Sequence, residues 1–440
     1  MDLTGKIVTV LGAGKSGQAA AALGLAKGAK VKISEKAAED QLFPAFREWI
    51  KQNKIHLETG GHTKDFIEQS DTLIVSPGIN LNCDAVKWAR GKGAAVWSEI
   101  EFAYRFCPVP IIAITGSNGK TTVSHLTARV LTEAGYRVHL CGNIGWPFSE
   151  AVLDLRGIDF IVLEVSSFQL ELISTFCPKI AVLTNVSQNH LDRHANLEEY
   201  FQIKQRIFMN QSKTDSALIN AGDPLSQRIQ RLTPKVFYFN SEEQRRSESG
   251  LNQNQWAVAQ VCRILNVAPD VYRKIFSEFR GVEHRMERLG LLQGVELIND
   301  SKSTTAQATR WALENISRPV ILICGGRDKN IDFSTIQDIV RQKVKMMIVI
   351  GEAKEKIRQC FHHLVPVREC ETLEEALGTA YQNSQTGDCV LLSPMCASYD
   401  MFKNFEERGS RFKQLVESLK VKIDQSGPCE AASMDFKKAK

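Results

Sequence analysis

Short apolar runs recur along the chain, each ending at a glycine or a polar cluster. Residues 6–11, 30–34, 72–75, 111–114, 160–163, 180–184, 295–298, 320–324, 346–350 and 389–392 have this form, which predicts buried strands. Helical spacing fills several of the gaps. An Ala-rich run closes at Gly28, Val123, Leu126, Val130 and Leu131 fall at i, i+3, i+7 and i+8, and residues 200–208 and 254–279 carry the same period. Strands that are apolar throughout, separated by helices, are those of a mostly parallel sheet covered on both faces. The prediction is an α/β chain with its chemistry at the carboxyl ends of its strands.

Those strand ends carry the polar clusters. Residues 111–114 run into Thr115-Gly116-Ser117-Asn118-Gly119-Lys120-Thr121-Thr122, and a helix follows. Two glycines allow a tight turn whose N–H groups can face phosphate, Lys120 would neutralise the β- and γ-phosphates, and Thr121 would reach Mg²⁺. The usual loop begins with a glycine where this chain has Ile114, so an ordinary strand-to-helix turn stays open beside the favoured reading, nucleotide triphosphate binding. A second loop, Gly12-Ala13-Gly14-Lys15-Ser16-Gly17, precedes a strand ending at Glu35. Any diphosphate, NAD or no ligand at all would suit it. Ser76-Pro77-Gly78-Ile79 ends another strand. Glu164, directly after residues 160–163, stands where a nucleotide-binding fold places a metal carboxylate, or else faces water. Taken singly, His190 reads as structural and Lys204 as a surface lysine.

At 440 residues the chain exceeds one core, and domains of about 100 to 200 residues imply two to four of them. The limits predicted are 1–98, 99–282 and 283–422, with a disordered tail over 423–440, a polar loop over 241–250 and a hinge at 281–285. A net charge of +5 without a dense basic block implies no nucleic-acid partner. The 11 cysteines never fall as Cys-x-x-Cys, which fits free thiols in a reducing cytosol. No apolar run approaches the ~18 residues of a membrane span, so a cytoplasmic, unanchored protein is expected.

Four motifs in order carry a family resemblance: Thr-Gly-Ser-Asn-Gly-Lys-Thr-Thr from Thr115, Glu-Val-Ser-Ser-Phe-Gln-Leu-Glu from Glu164, Asn-Asp-Ser-Lys from Asn299, and Ser-Pro-Met-Cys-Ala-Ser-Tyr-Asp-Met-Phe-Lys-Asn-Phe from Ser393. Together they resemble the ATP-dependent Mur ligases of peptidoglycan synthesis, in particular the branch that adds D-glutamate. The resemblance implies an N-terminal Rossmann-like domain for the UDP-sugar, a central P-loop ATPase domain and a C-terminal Rossmann-like domain for the amino acid, in a monomer. It implies that UDP-N-acetylmuramoyl-L-alanine, D-glutamate and ATP are the substrates, with an acyl phosphate between them.

By the same resemblance, Gly116, Ser117, Asn118, Gly119, Lys120, Thr121, Thr122 and Arg285 serve ATP, His284 pairing with Arg285. Thr121, Glu164, His190 and a carbamylated Lys204 serve two Mg²⁺ ions, and Lys120, Glu164, His190 and Lys204 are the catalytic set. Lys15, Ser16, Glu35, Lys36, Gly78 and Asn143 match the UDP-sugar site. Lys302, Thr304, Lys329, Ser398 and Phe405 match the D-glutamate pocket, where a dicarboxylate needs cations and hydroxyl donors. The chain departs from the family in a short segment over 239–255, where no adenine contact is assigned, and at Asn220-Ala221-Gly222-Asp223, which has one carboxylate fewer. A sibling ligase for another amino acid, an NAD-dependent oxidoreductase and a non-catalytic nucleotide-binding protein are the rival readings.

Overall fold

The structure, a computed structural model, describes residues 1–430 other than 188–192, 249, 280 and 329–330, with side chains to residue 423. The chain divides into two units, Met1–Phe279 and Arg280–Lys440. Strands β1 (Ile7–Leu11), β2 (Lys30–Ser34), β3 (His56–Glu58), β4 (Thr72–Val75) and β5 (Ala95–Ser98) form a parallel sheet of order β3-β2-β1-β4-β5. Val10 stands opposite both Ile33 and Ile74, all three buried, as a doubly covered sheet requires. The strand order reverses between β1 and β4, which opens a crevice at their carboxyl ends. The Gly12 loop and the turn at Ser76 face each other there, the Ser76 hydroxyl donating to Gly12 O at 3.3 Å.

The same unit holds a second sheet: β6 (Ile111–Thr115), β7 (Val138–Gly142), β8 (Phe160–Glu164), β9 (Ile180–Leu183), β10 (Ser216–Asn220) and β11 (Lys235–Phe239). All its pairs are parallel, in the order β11-β10-β9-β6-β8-β7, so β6 is central, between β9 and β8. One apolar cluster joins the two sheets through Phe102, Ile111, Phe148 and Phe176. Glu101, fully buried, accepts hydrogen bonds from the N–H groups of Ser174, Thr175 and Phe176 at 2.9–3.0 Å and pairs with Arg105 at 2.8 Å.

The other unit is built on β12 (Glu287–Leu292), β13 (Val295–Asn299), β14 (Val320–Gly325), β15 (Val344–Ile350), β16 (Val367–Glu369) and β17 (Cys389–Leu392). Their order is β12-β13-β17-β14-β15-β16, with β12 antiparallel to β13 and the other pairs parallel. Neighbouring strands β13, β17 and β14 thereby bring three polar strand ends to one edge.

Two expectations need correction. The segment over 241–250 contains a helix, Glu242–Ser247, whose capping box pairs Ser241 with Gln244. Its residues have no buried face to announce a period, so only the Ser-x-x-Gln cap was readable. The expected tail begins instead inside a helix, Phe405–Glu430. Phe412, Leu415, Val416, Leu419 and Ile423 form its buried stripe, carrying the helical period past 422. Residues 431–440 lie outside the described residues. Among the described residues, no helix is long and apolar enough to cross a membrane, and the cysteines are free thiols.

Candidate active site

Strand β6 delivers the phosphate-type loop from a fully buried position. Gly116 and Gly119 have φ of +148° and +83°, and a Cβ on either would collide with Thr184 Oγ1 or with Asn254 Oδ1 respectively. Asn185, just past β9, fastens the loop: its carbonyl accepts from Ser117 N at 2.9 Å and its Oδ1 accepts from Asn118 N at 3.0 Å. Two loop N–H groups are thus engaged by the protein. The helix Lys120–Glu133 begins at Gly119 without a side-chain cap.

Three expected residues meet at this loop. Lys120 Nζ donates to Gly116 O and to Ser117 O, each at 2.9 Å, and Thr121 is buried beside it. Lys204, on the helix Leu197–Gln205, is 1% exposed, so it is no surface lysine, and its Nζ donates to the same Gly116 O at 2.8 Å. Tyr200, one turn earlier, sets its ring 4.5 Å from Lys204 Nζ and accepts a hydrogen bond from Ser117 Oγ at 3.4 Å. Burial, with Lys120 nearby, holds the Lys204 amine well below the usual lysine range against the opposing pull of Glu164.

Glu164 ends β8 across the ladder from Ile114. Asn143 Nδ2 donates to its Oε1 at 2.8 Å, while the buried Oε2 has no hydrogen-bond partner among the described residues. A buried carboxylate oxygen left in this state suits an oxygen-seeking cation, and with the Thr121 hydroxyl the donor types fit Mg²⁺. His190 lies outside the described residues.

At the crevice of the first sheet, Lys15, Lys36 and Gly78 are exposed and Ser16 is half-buried. Glu35 braces the glycine loop, Oε2 accepting from Ala13 N at 2.6 Å and Oε1 from Ala37 N at 2.9 Å.

In the second unit the three strand ends are laced together. Met395 N donates to Ser303 O and Arg327 N to Ala397 O, both at 2.9 Å. The buried Arg408 donates to Ser301 Oγ at 3.0 Å and to Cys396 O at 3.2 Å. Lys302 Nζ stands 6.0 Å from the Phe405 ring centre, Thr304 is half-buried next to it, and Ser398 is buried. Lys329 lies outside the described residues. His284 is buried, with Asn299 Nδ2 at 3.0 Å from its Nδ1, so it packs this unit internally, whereas Arg285 is half-buried with its guanidinium 5.9 Å from the Trp311 ring.

Sequence reading missed Asn185, Tyr200 and Asn254. A readable trace existed for Asn185, a polar residue directly after a buried strand. Tyr200 and Asn254 had none, because each reaches the loop only through the fold.

Family comparison is consistent across the chain. The MurD-like N-terminal domain of Mur ligases matches residues 6–98, the Mur ligase middle domain 114–276, and the Mur ligase glutamate ligase domain 284–396. The UDP-N-acetylmuramoylalanine–D-glutamate ligase of Thermoanaerobacter sp. (strain X514) is 37% identical over 96% of this chain and 100% of its own. That of Chlorobaculum tepidum is 38% identical over 95% and 99%. Among solved structures, UDP-N-acetylmuramate–alanine ligase MurC from Thermotoga maritima superposes with a TM-score of 0.54 at 16% identity, covering 94% of this chain and 99% of that one.

Proposed function

The chain belongs to the Mur ligase family, and from that premise we infer that it joins D-glutamate to UDP-N-acetylmuramoyl-L-alanine in peptidoglycan synthesis, using ATP. A carboxylate does not acylate an amine unaided. Transfer of the γ-phosphoryl group of ATP to the L-alanyl carboxylate gives an acyl phosphate and ADP. The D-glutamate nitrogen then adds to the acyl carbon, and the tetrahedral intermediate expels phosphate as the nitrogen gives up its proton. Positioning and charge neutralisation supply most of the catalysis.

The observation that carries this reading is the meeting of Lys120 and Lys204 on Gly116 O, within electrostatic reach of Glu164. Lys120 and the start of its helix neutralise the β- and γ-phosphates together with Gly116, Ser117, Asn118, Gly119, Thr121 and Thr122, and Arg285 adds positive charge. Lys204 in its neutral form adds CO₂ at Nζ with loss of a proton, becoming an anionic carbamate. That carbamate, Thr121, Glu164 and His190 would hold two Mg²⁺ ions, which when bound offset phosphate charge. Asn143 orients Glu164 through its Oε1.

We assign the UDP-sugar to residues 1–98, through Lys15, Ser16, Glu35, Lys36 and Gly78, with Asn143 added from the central domain. ATP is assigned to 99–282, and D-glutamate to 283–422 through Lys302, Thr304, Lys329, Ser398 and Phe405. The enzyme is read as a cytoplasmic monomer acting on small molecules, with neither nucleic acid nor membrane as partner.

ADP and phosphate release, measured with UDP-N-acetylmuramoyl-L-alanine in the presence and absence of D-glutamate, tests the reading. Release should depend on both substrates. A preference for L-alanine, L-lysine or diaminopimelate over D-glutamate would overturn it.

A further inference from the structure

One large side chain in the first unit is left in water by a turn that is otherwise firmly held. Trp146 is 63% exposed. It closes the turn Gly142-Asn143-Ile144-Gly145-Trp146, in which Gly142 N donates to Trp146 O at 2.8 Å. On one side the turn is tied to the catalytic carboxylate, because Asn143 N donates to Glu164 O at 2.9 Å and Asn143 Nδ2 to Glu164 Oε1 at 2.8 Å. On the other side it leads into the helix Phe148–Ala151, anchored by the fully buried Phe148 and by Ser149 N donating to Glu99 Oε1 at 2.5 Å. That short helix rests on the helix Lys15–Ala26, and Lys15 is near enough for its charge to act on Glu150. Trp146 therefore stands on a rigid bridge from the start of the helix that follows the glycine loop to the carboxylate beside the phosphate loop.

Leaving an indole exposed forgoes the stabilisation its burial would give. The substrate offers a use. Its diphosphate belongs to Lys15 and Ser16, and its carboxylate must reach Lys120 and Glu164. The part of the molecule that spans this interval is the N-acetylmuramoyl ring, whose C–H face complements the electron-rich face of an indole. We propose that Trp146 is the stacking platform for that pyranose ring, a specificity residue that orients the sugar so that its lactyl-alanine arm points at the phosphate loop. This rests on the ligase reading above.

Calorimetric titration of the full chain with UDP-N-acetylmuramoyl-L-alanine and with UDP alone, without ATP, separates the two ideas, because binding is read without turnover. Trp146→Ala should weaken the sugar nucleotide about tenfold and leave UDP unchanged, and Trp146→Phe should recover most of the loss. In turnover, KM for the sugar nucleotide should rise with little change in kcat. An equal loss for UDP, no loss for either ligand, or a folded Trp146→Phe that behaves like the alanine variant would overturn the platform. A wild-type chain that binds the sugar nucleotide but never consumes ATP would overturn the ligase reading and leave the platform standing.

Discussion

Lys120 and Lys204 donate to a single oxygen, the Gly116 carbonyl, at 2.9 Å and 2.8 Å. Burial disfavours charge on Lys204, and two ammonium groups so placed would repel, so its amine is held well below the usual lysine range against the opposing pull of Glu164. On the proposed function, Lys120 serves phosphate while Lys204 takes up CO₂.

Lys204→Ala should lower ligation by about 10³-fold, with partial recovery in acetate, measured as ADP release. Lys204→Met should lose activity yet stabilise the unloaded protein. The folded pKa lies below that of the unfolded chain, so the unfolded state binds a proton that the folded state does not. Wild-type stability should therefore rise with pH towards the usual lysine range, and urea unfolding of the methionine variant should lack that rise.

Lys120→Ala should lower turnover by about 10³-fold while calorimetric affinity for the sugar nucleotide persists. Glu164→Gln keeps the acceptor for Asn143 and removes the charge at the oxygen that has no partner among the described residues. The Mg²⁺ concentration for half-maximal activity should rise at least about tenfold in that variant.

Glu99 is fully buried, and desolvation pushes its pKa up to about 7. The unfolded chain ionises near pH 4.5 while the folded one stays protonated, so this group costs stability as pH rises from about 4.5 to 7. Glu99→Gln should remove that decline and gain about 3 kcal/mol at pH 8 relative to pH 4.5, read from urea unfolding of both chains.

Glu101→Ala leaves the N–H groups of Ser174, Thr175 and Phe176 without their acceptor and Arg105 without its partner. A loss of about 3–5 kcal/mol in the unfolding of the first unit is expected by urea titration.

Lys302→Ala should raise KM for D-glutamate about 10- to 100-fold, with KM for ATP and for the sugar nucleotide unchanged in initial-rate assays.

Ten of the strands, the glycine turns and the Gly-Lys-Thr-Thr signature were legible in the chain because each depends on neighbours a few residues away: apolar period, turn chemistry, a cation beside a loop; β3, β5, β7, β10, β11, β12 and β16 were not read. The all-polar helix Glu242–Ser247 escaped that logic, since it buries no face. Burial of Lys204, the Tyr200 hydroxyl at Ser117, Asn254 over Gly119 and the engagement of Glu35 by Ala13 became visible only in three dimensions. Those relationships join segments far apart along the chain, and they set dielectric and distance. Residue type determines which groups can ionise or donate, whereas the folded surroundings decide which protonation state each one keeps.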